Sequence, residues 1–260
     1  MNFVTTTIDD RGVATVTLNN PDKHNAFDDV MIGELTQIFK TLDSNADVRV
    51  MILAATGKSF SAGADLNWMK RMANYSRQEN LADAAALADM LKTLNFMTKP
   101  TIARVQGATF GGAVGLVSCC DLAVATQTTV FSLSEAKIGL IPATIAPYVV
   151  AAIGQRACRR YFTTAERFDA DKALNLGLVS QLASDEQALD AAVAQLVKQL
   201  LTSGPQAVAA AKQLLFDVGN NITDTVIAQT CERIADIRVS PEGQQGLSAF
   251  LEKRSPTWVR

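Results

Sequence analysis

The chain has 260 residues, 48% of them hydrophobic and 19% charged, which provides for a sizeable core and excludes disorder over most of the length. Its formal net charge of −2, with lysines and arginines scattered rather than striped, excludes a general attraction to nucleic acid or anionic lipid. A lone histidine, His24, and four cysteines without a CxxC pair exclude a zinc site of ordinary spacing. Cys119 and Cys120, adjacent in an apolar run, read as buried small hydrophobes in a reducing cytoplasm. The N-terminus lacks a basic stretch followed by an apolar one, and no apolar run reaches about 18 residues, so neither secretion nor a membrane span is expected.

In chain order, Phe3 to Ile8 and Val13 to Leu18 alternate as half-buried strands around the turn Asp9-Asp10-Arg11-Gly12, which predicts an opening hairpin. Residues 20–25 read as a loop, and Asp28 as the cap of a helix burying Val30, Leu35, Ile38, Phe39 and Leu42 and ending near Asn45. Val48 to Ala55 is a continuous apolar strand running into a Gly-rich segment, Gly57 to Asp65. A helical pattern over Arg77 to Phe96 precedes a strand at Thr101 to Val105, then Gly107, the pair Gly111-Gly112 and an apolar helix reaching Cys120. Short strands follow at Asp121 to Ala125 and Val130 to Leu133. From Ala183 onward the patterns are helical only: 184–200, 204–218, 222–238 and 241–251. The chain therefore divides into an α/β core, 1–183, holding the site, and a helical region, 184–260.

Three segments carry chemistry. In Phe60-Ser61-Ala62-Gly63-Ala64-Asp65-Leu66, small residues after a buried strand let backbone amides face a cleft, although a tight turn would look the same. Val105-Gln106-Gly107-Ala108-Thr109-Phe110-Gly111-Gly112 again follows a strand and opens a helix, whose first amides lack partners. Two such donors can hold one developing oxyanion. The glycine spacing fits neither a dinucleotide fingerprint nor a P-loop. In Phe131 to Pro142 a single carboxylate, Glu135, lies between an apolar strand and a Gly/Pro loop. It reads either as a general acid/base in an apolar pocket or as a solvated partner of Lys137.

Taken in order, "LNNPDKHNAF", "FSAGADL", "VQGATFGGAVGL" with "CCDLAVA", "FSLSEAKIGLIP" and the ending "AFLEKR" resemble the crotonase superfamily of enoyl-CoA hydratases and isomerases over nearly the whole chain. The resemblance implies an α/β fold, a crotonase-like spiral of ββα units, followed by a helical trimerisation region. It further implies a homotrimer or a hexamer built as a dimer of trimers. The substrate would be an acyl-CoA thioester, with no cofactor beyond the coenzyme A that the substrate carries. The amides of Ala64 and Gly112 would form the oxyanion hole, with Glu135 as acid/base. Lys23, His24, Asn25, Ala26, Ala62, Asp65 and Leu66 would lie along the CoA site, and Phe250 and Lys253 would reach a neighbouring subunit's CoA. Many hydratases of the family use two glutamates, and the first falls on Gly115 of the acyl site. Longer stretches such as "DLNWMKRMANYSRQENLADA" and "EAKIGLIPATIAPYVVAAIG" resemble bacterial methylglutaconyl-CoA and carboxygeranoyl-CoA hydratases. A branched, carboxylated enoyl-CoA is the expected substrate.

Two other readings stand beside hydration. A double-bond isomerase needs only one carboxylate over the same amides. A noncatalytic acyl-CoA or RNA-binding module would keep the fold, but RNA binding would call for a basic stripe that is absent. Arg159-Arg160 and Lys70-Arg71 read as surface charges, and His24 as a loop residue rather than a base.

Overall fold

The structure is a computed structural model that describes residues 3–219 and 222–259. β1 (Val4–Ile8) and β2 (Val13–Leu18) form the expected antiparallel hairpin. α1 (Asp29–Ser44) is capped by the Asp28 carboxylate, which accepts from Met31 N. α1 then buries Met31, Ile32, Leu35, Phe39 and Leu42, while Val30, expected on that face, is 67% exposed. As the second residue of the first turn, Val30 points away from the stripe that Met31 and Leu35 define.

The middle of the chain repeats one move. β3 (Val50–Ala55) is followed by β4 (Ser59–Ser61), β5 (Thr101–Val105) by β6 (Ala108–Phe110), and β7 (Leu122–Thr126) by β8 (Val130–Ser132). The first of each pair joins the larger sheet, in the order β1-β2-β3-β5-β7, and the second joins the smaller, β4-β6-β8. Each sheet thus grows by one parallel strand per turn of a spiral. Between the turns lie α2 (Leu66–Met72), α3 (Arg77–Asn95) and α4 (Gly112–Cys119). α5 (Ala146–Thr164), β9 (Arg167–Asp169), α6 (Ala170–Leu176) and β10 (Gln181–Ala183) close the two sheets.

The helices after Ala183 divide unequally. α7 (Glu186–Leu201) lays Leu189, Val193 and Val197 on the larger sheet against Val13, Val50, Ile102 and Val124, so it packs as part of the core. α8 (Pro205–Val218), α9 (Asp224–Val239) and α10 (Pro241–Leu251) pack chiefly on one another. Lys212 of α8 joins them to the core: its buried ammonium donates to Asp121 Oδ2 at 2.7 Å and to Lys99 O at 3.2 Å. Burial pushes the Cys119 and Cys120 thiols up, Cys120 to about 12, consistent with small apolar residues rather than nucleophiles. No helix among the described residues is long and apolar enough to cross a membrane.

Candidate active site

Parallel pairing brings the two Gly-rich segments together. Ser61 of β4 stands opposite Thr109 of β6, so the strands leave the small sheet side by side. Three residues further, the chains reach Ala64 and Gly112. The close approach of the loops needs a glycine at residue 63, where φ is +97° and a β-carbon would lie 3.2 Å from Phe110 O. Gly112 is the first residue of α4, and its N–H has no partner among the hydrogen bonds of the described residues.

Phe27 fixes the relation between the loops. Its backbone forms a parallel bridge to Ala64, with Phe27 N donating to Gly63 O at 2.9 Å and Asp65 N donating to Phe27 O at 3.0 Å. That pattern uses the amides on either side of Ala64 and turns the Ala64 N–H the other way, where it too has no partner among the described residues. The Phe27 ring lies against Gly112, where a β-carbon would come within 2.4 Å of Phe27 Cζ. One buried residue thus holds both amide-bearing segments. The sequence signal for it was only its place at the end of "LNNPDKHNAF".

The loop before Phe27 is tied to the same segment. Lys23 Nζ donates to Asp65 Oδ2 at 2.8 Å. Asp65 Oδ1 accepts from Asn67 N and Trp68 N and caps α2. The Lys23 ammonium and those two amides hold the Asp65 carboxyl below the ordinary range against the effect of burial. His24 is exposed, with Nδ1 3.1 Å from Ser59 Oγ, and its carbonyl accepts from Ala62 N at 2.9 Å. His24 and Asn25 both have positive φ, 51° and 52°. Asn25, expected along the CoA site, uses its side chain within the loop. It is fully buried, and its amide donates to Thr56 O and Ser59 O while its oxygen accepts from Asn20 N. Both donor hydrogens and the acceptor are occupied, so Asn25 clamps the loop and offers its side chain to no ligand. The Ala62 and Asp65 amides are likewise occupied within the loops, whereas Ala26 is half-buried and Leu66, at 72% exposed, is open to contact.

Glu135 opens a 3-10 turn, Glu135–Ile138, after β8. Its Oε1 stands 3.2 Å from where a β-carbon on Gly111 would be, beside the start of α4. Its Oε2 is buried without a hydrogen-bond partner, and among the ion pairs of the described residues none joins Glu135 to Lys137. Burial raises the Glu135 carboxyl above the ordinary glutamate range, opposed only by its own backbone amide. Ser132 O accepts from Gly111 N at 2.8 Å, tying the strand that leads to Glu135 to the loop that presents Gly112. Two amides without partners among the described residues and a desolvated carboxylate therefore lie on adjoining segments, offering donors for a developing oxyanion and a group able to move a proton.

Gly115 is buried under Ile145 and Leu91, so it meets side chains of its own chain rather than open space. Phe250, at the end of α10, is 81% exposed, and Lys253 follows with a φ of +56°. The amide of Lys253 donates to Phe250 O within its own helix end. Arg160 pairs with Glu166 and Arg71 with Asp29 at the surface.

The family model for enoyl-CoA hydratase/isomerase matches residues 9–260. An enoyl-CoA hydratase of Shewanella pealeana superposes with a TM-score of 0.95 at 50% identity, covering 99% of this chain and 96% of that one. The structure of Pseudomonas aeruginosa AtuE gives a TM-score of 0.96 at 31% identity over 100% of both chains. The enoyl-CoA hydratase ACTT6 of Alternaria alternata is 32% identical over 95% of this chain and 81% of its own length. On these matches and this geometry, the chain belongs to the enoyl-CoA hydratase/isomerase family.

Proposed function

We propose that the protein hydrates an α,β-unsaturated CoA thioester, with Glu135 as its one proton-carrying side chain. The observation that carries this reading is the Glu135 carboxylate, whose Oε2 is buried without a hydrogen-bond partner and whose Oε1 stands over Gly111, the residue before Gly112. The thioester oxygen accepts from Ala64 N–H and Gly112 N–H, which favours charge on that oxygen as the enolate develops. Ionised Glu135 takes a proton from water as the water oxygen bonds to the β-carbon. It then returns that proton to the α-carbon, so H and OH are added and the carboxylate is regenerated. The reaction needs no cofactor beyond the substrate's own coenzyme A.

Two finer assignments accompany the reading. The acyl group is branched and carboxylated, as in 3-methylglutaconyl-CoA, supported by the likeness of the stretches over 65–84 and 135–154 to hydratases of such substrates. The working form is a homotrimer or a pair of trimers in which Phe250 and Lys253 reach a neighbour's CoA, supported by the apolar residues that α8–α10 leave exposed.

Turnover of 3-methylglutaconyl-CoA and of crotonyl-CoA in H₂¹⁸O tests the reaction. Solvent oxygen in the product supports hydration. A shifted double bond without label makes the protein an isomerase, a reaction that one carboxylate can also carry. Preference for crotonyl-CoA removes the carboxylated substrate while leaving hydration in place.

A further inference from the structure

Gly111, the cap residue of α4 with φ +55°, and Gly115 lie four residues apart, about one helical turn along α4. Over Gly111 stands the Glu135 carboxylate. Over Gly115 stands Ile145, the cap residue of α5, which is 2% exposed. A β-carbon on Gly115 would lie 2.3 Å from Ile145 Cγ2 and 2.8 Å from Ile145 Cβ, with Leu91 Cδ2 at 3.5 Å. Every side chain other than hydrogen is shut out there by a β-branched residue that has little freedom to turn aside.

We infer that Ile145 is the positioning residue that confines the site to one carboxylate: its side chain fills the volume beside Glu135 that an acid on residue 115 would occupy. The arrangement has two consequences. Hydrocarbon takes the place of a polar neighbour next to Glu135, in keeping with the unpartnered Oε2. Residues 115 and 145 are also coupled, since an acid at 115 becomes possible only when Ile145 is removed. The functional half of this assignment rests on Glu135 carrying the proton, whereas the steric half does not.

Two linked experiments test it. In the first, thermal unfolding is followed for Gly115→Ala, Ile145→Gly and the pair. Alanine at 115 should destabilise strongly alone and much less in the presence of Ile145→Gly, because glycine removes both obstructing atoms and is itself accepted as a helix cap. Additive effects, or a Gly115→Ala variant as stable as the native chain, would overturn the steric assignment. In the second, Gly115→Glu with Ile145→Gly is placed in a Glu135→Gln background. Hydration should recover at least tenfold over Glu135→Gln alone, a gain that a merely structural role for Ile145 would not produce. A folded triple variant without recovery would overturn the placement of residue 115 beside the reacting atoms. If Glu135→Gln alone retains native activity, the proton-carrier reading fails instead, and the stability coupling still decides the role of Ile145.

Discussion

The spiral core and the helices α8–α10 treat their apolar residues in opposite ways. α1, in the core, buries every residue of its stripe from Met31 to Leu42 apart from the half-buried Ile38. α9 buries none, and Ile227, Ile234 and Val239 are exposed along it, as are Leu215 of α8 and Leu247, Phe250 and Leu251 of α10. Similar helical periodicity therefore has two outcomes. In the core the chain supplies its own cover, whereas in the arm the apolar residues stay exposed on the single chain. Amphipathic spacing reports that a helix will bury a face but carries no information about which molecule covers it.

The largest effect should come from removing the arm. Truncation after Gly219 deletes α9 and α10 and is expected to abolish soluble assembly, while the intact chain should sediment at micromolar concentration as a trimer or a multiple of three. A monomeric intact chain would end the contrast drawn here, since the exposed residues would then need no cover. Within the core, Glu135→Gln keeps shape but cannot exchange a proton, so kcat should fall by about 10²–10⁴ with little change in binding and none in sedimentation. More than about a tenth of native hydration would remove Glu135 as the main proton carrier.

Gly112→Pro sharpens the comparison further. Proline is tolerated at the first helical position, so the substitution removes the N–H at little cost to α4. It also adds a β-carbon where Phe27 Cζ lies 2.4 Å away. Gly112→Ala adds the same carbon and keeps the N–H, so the ratio of the two variants isolates the donor. That ratio should be about 10²–10³ in kcat, the usual effect of one oxyanion donor. Equal activities would place the oxyanion hole elsewhere.

The elements that bear the chemistry were legible in the sequence because their signals are local. Small residues following an apolar strand mark the segments 60–66 and 105–112, within which the family resemblance picks out Ala64 and Gly112, and a lone carboxylate in an apolar stretch marks Glu135 as a candidate. What was not legible depends on contacts made across the fold. Asn25 stands in a loop expected along the CoA site, and only its bonds to Thr56 and Ser59, more than thirty positions away, make its side chain a clamp. Phe27 and Ile145 matter because of the glycines they pack upon, and an apolar residue carries no sequence mark of its opposite number. The short helix α2 follows from the side chain of Asp65 capping it rather than from any apolar period. α5 is not one continuous helical period, because Gly154, with φ +77° and ψ 154°, interrupts it in the middle.

A smaller effect is expected where the two regions meet. Lys212→Met keeps most of the stem but removes the ammonium that Asp121 shares with Thr101 N and Thr101 Oγ1. Asp121 keeps the Thr101 donors and some solvent, so the loss should be roughly 1–3 kcal/mol rather than that of an abandoned buried charge. It should appear first as faster amide exchange in α8, with hydration per folded subunit unchanged. Uniform exchange across core and arm would mean that the two unfold as one unit.

The smallest effect lies in stability against pH and concerns Glu135 alone. Its carboxyl is raised in the folded chain because burial disfavours the charge. The unfolded chain therefore releases this proton at lower pH than the folded one. The contribution of protonated Glu135 to stability is complete below the ordinary glutamate pKa. It declines as pH rises through the raised folded value and stays constant above it. Glutamine cannot ionise and escapes that decline. The melting temperature of Glu135→Gln relative to the native chain should therefore rise as pH increases from the ordinary glutamate range, then level off. Activity of the native enzyme should move in the opposite sense to stability over the same interval, because the first proton transfer requires the ionised carboxylate. A relative melting temperature that is flat with pH would show that Glu135 is not held out of solvent in the folded protein, and its buried oxygen would then lose its part in the mechanism.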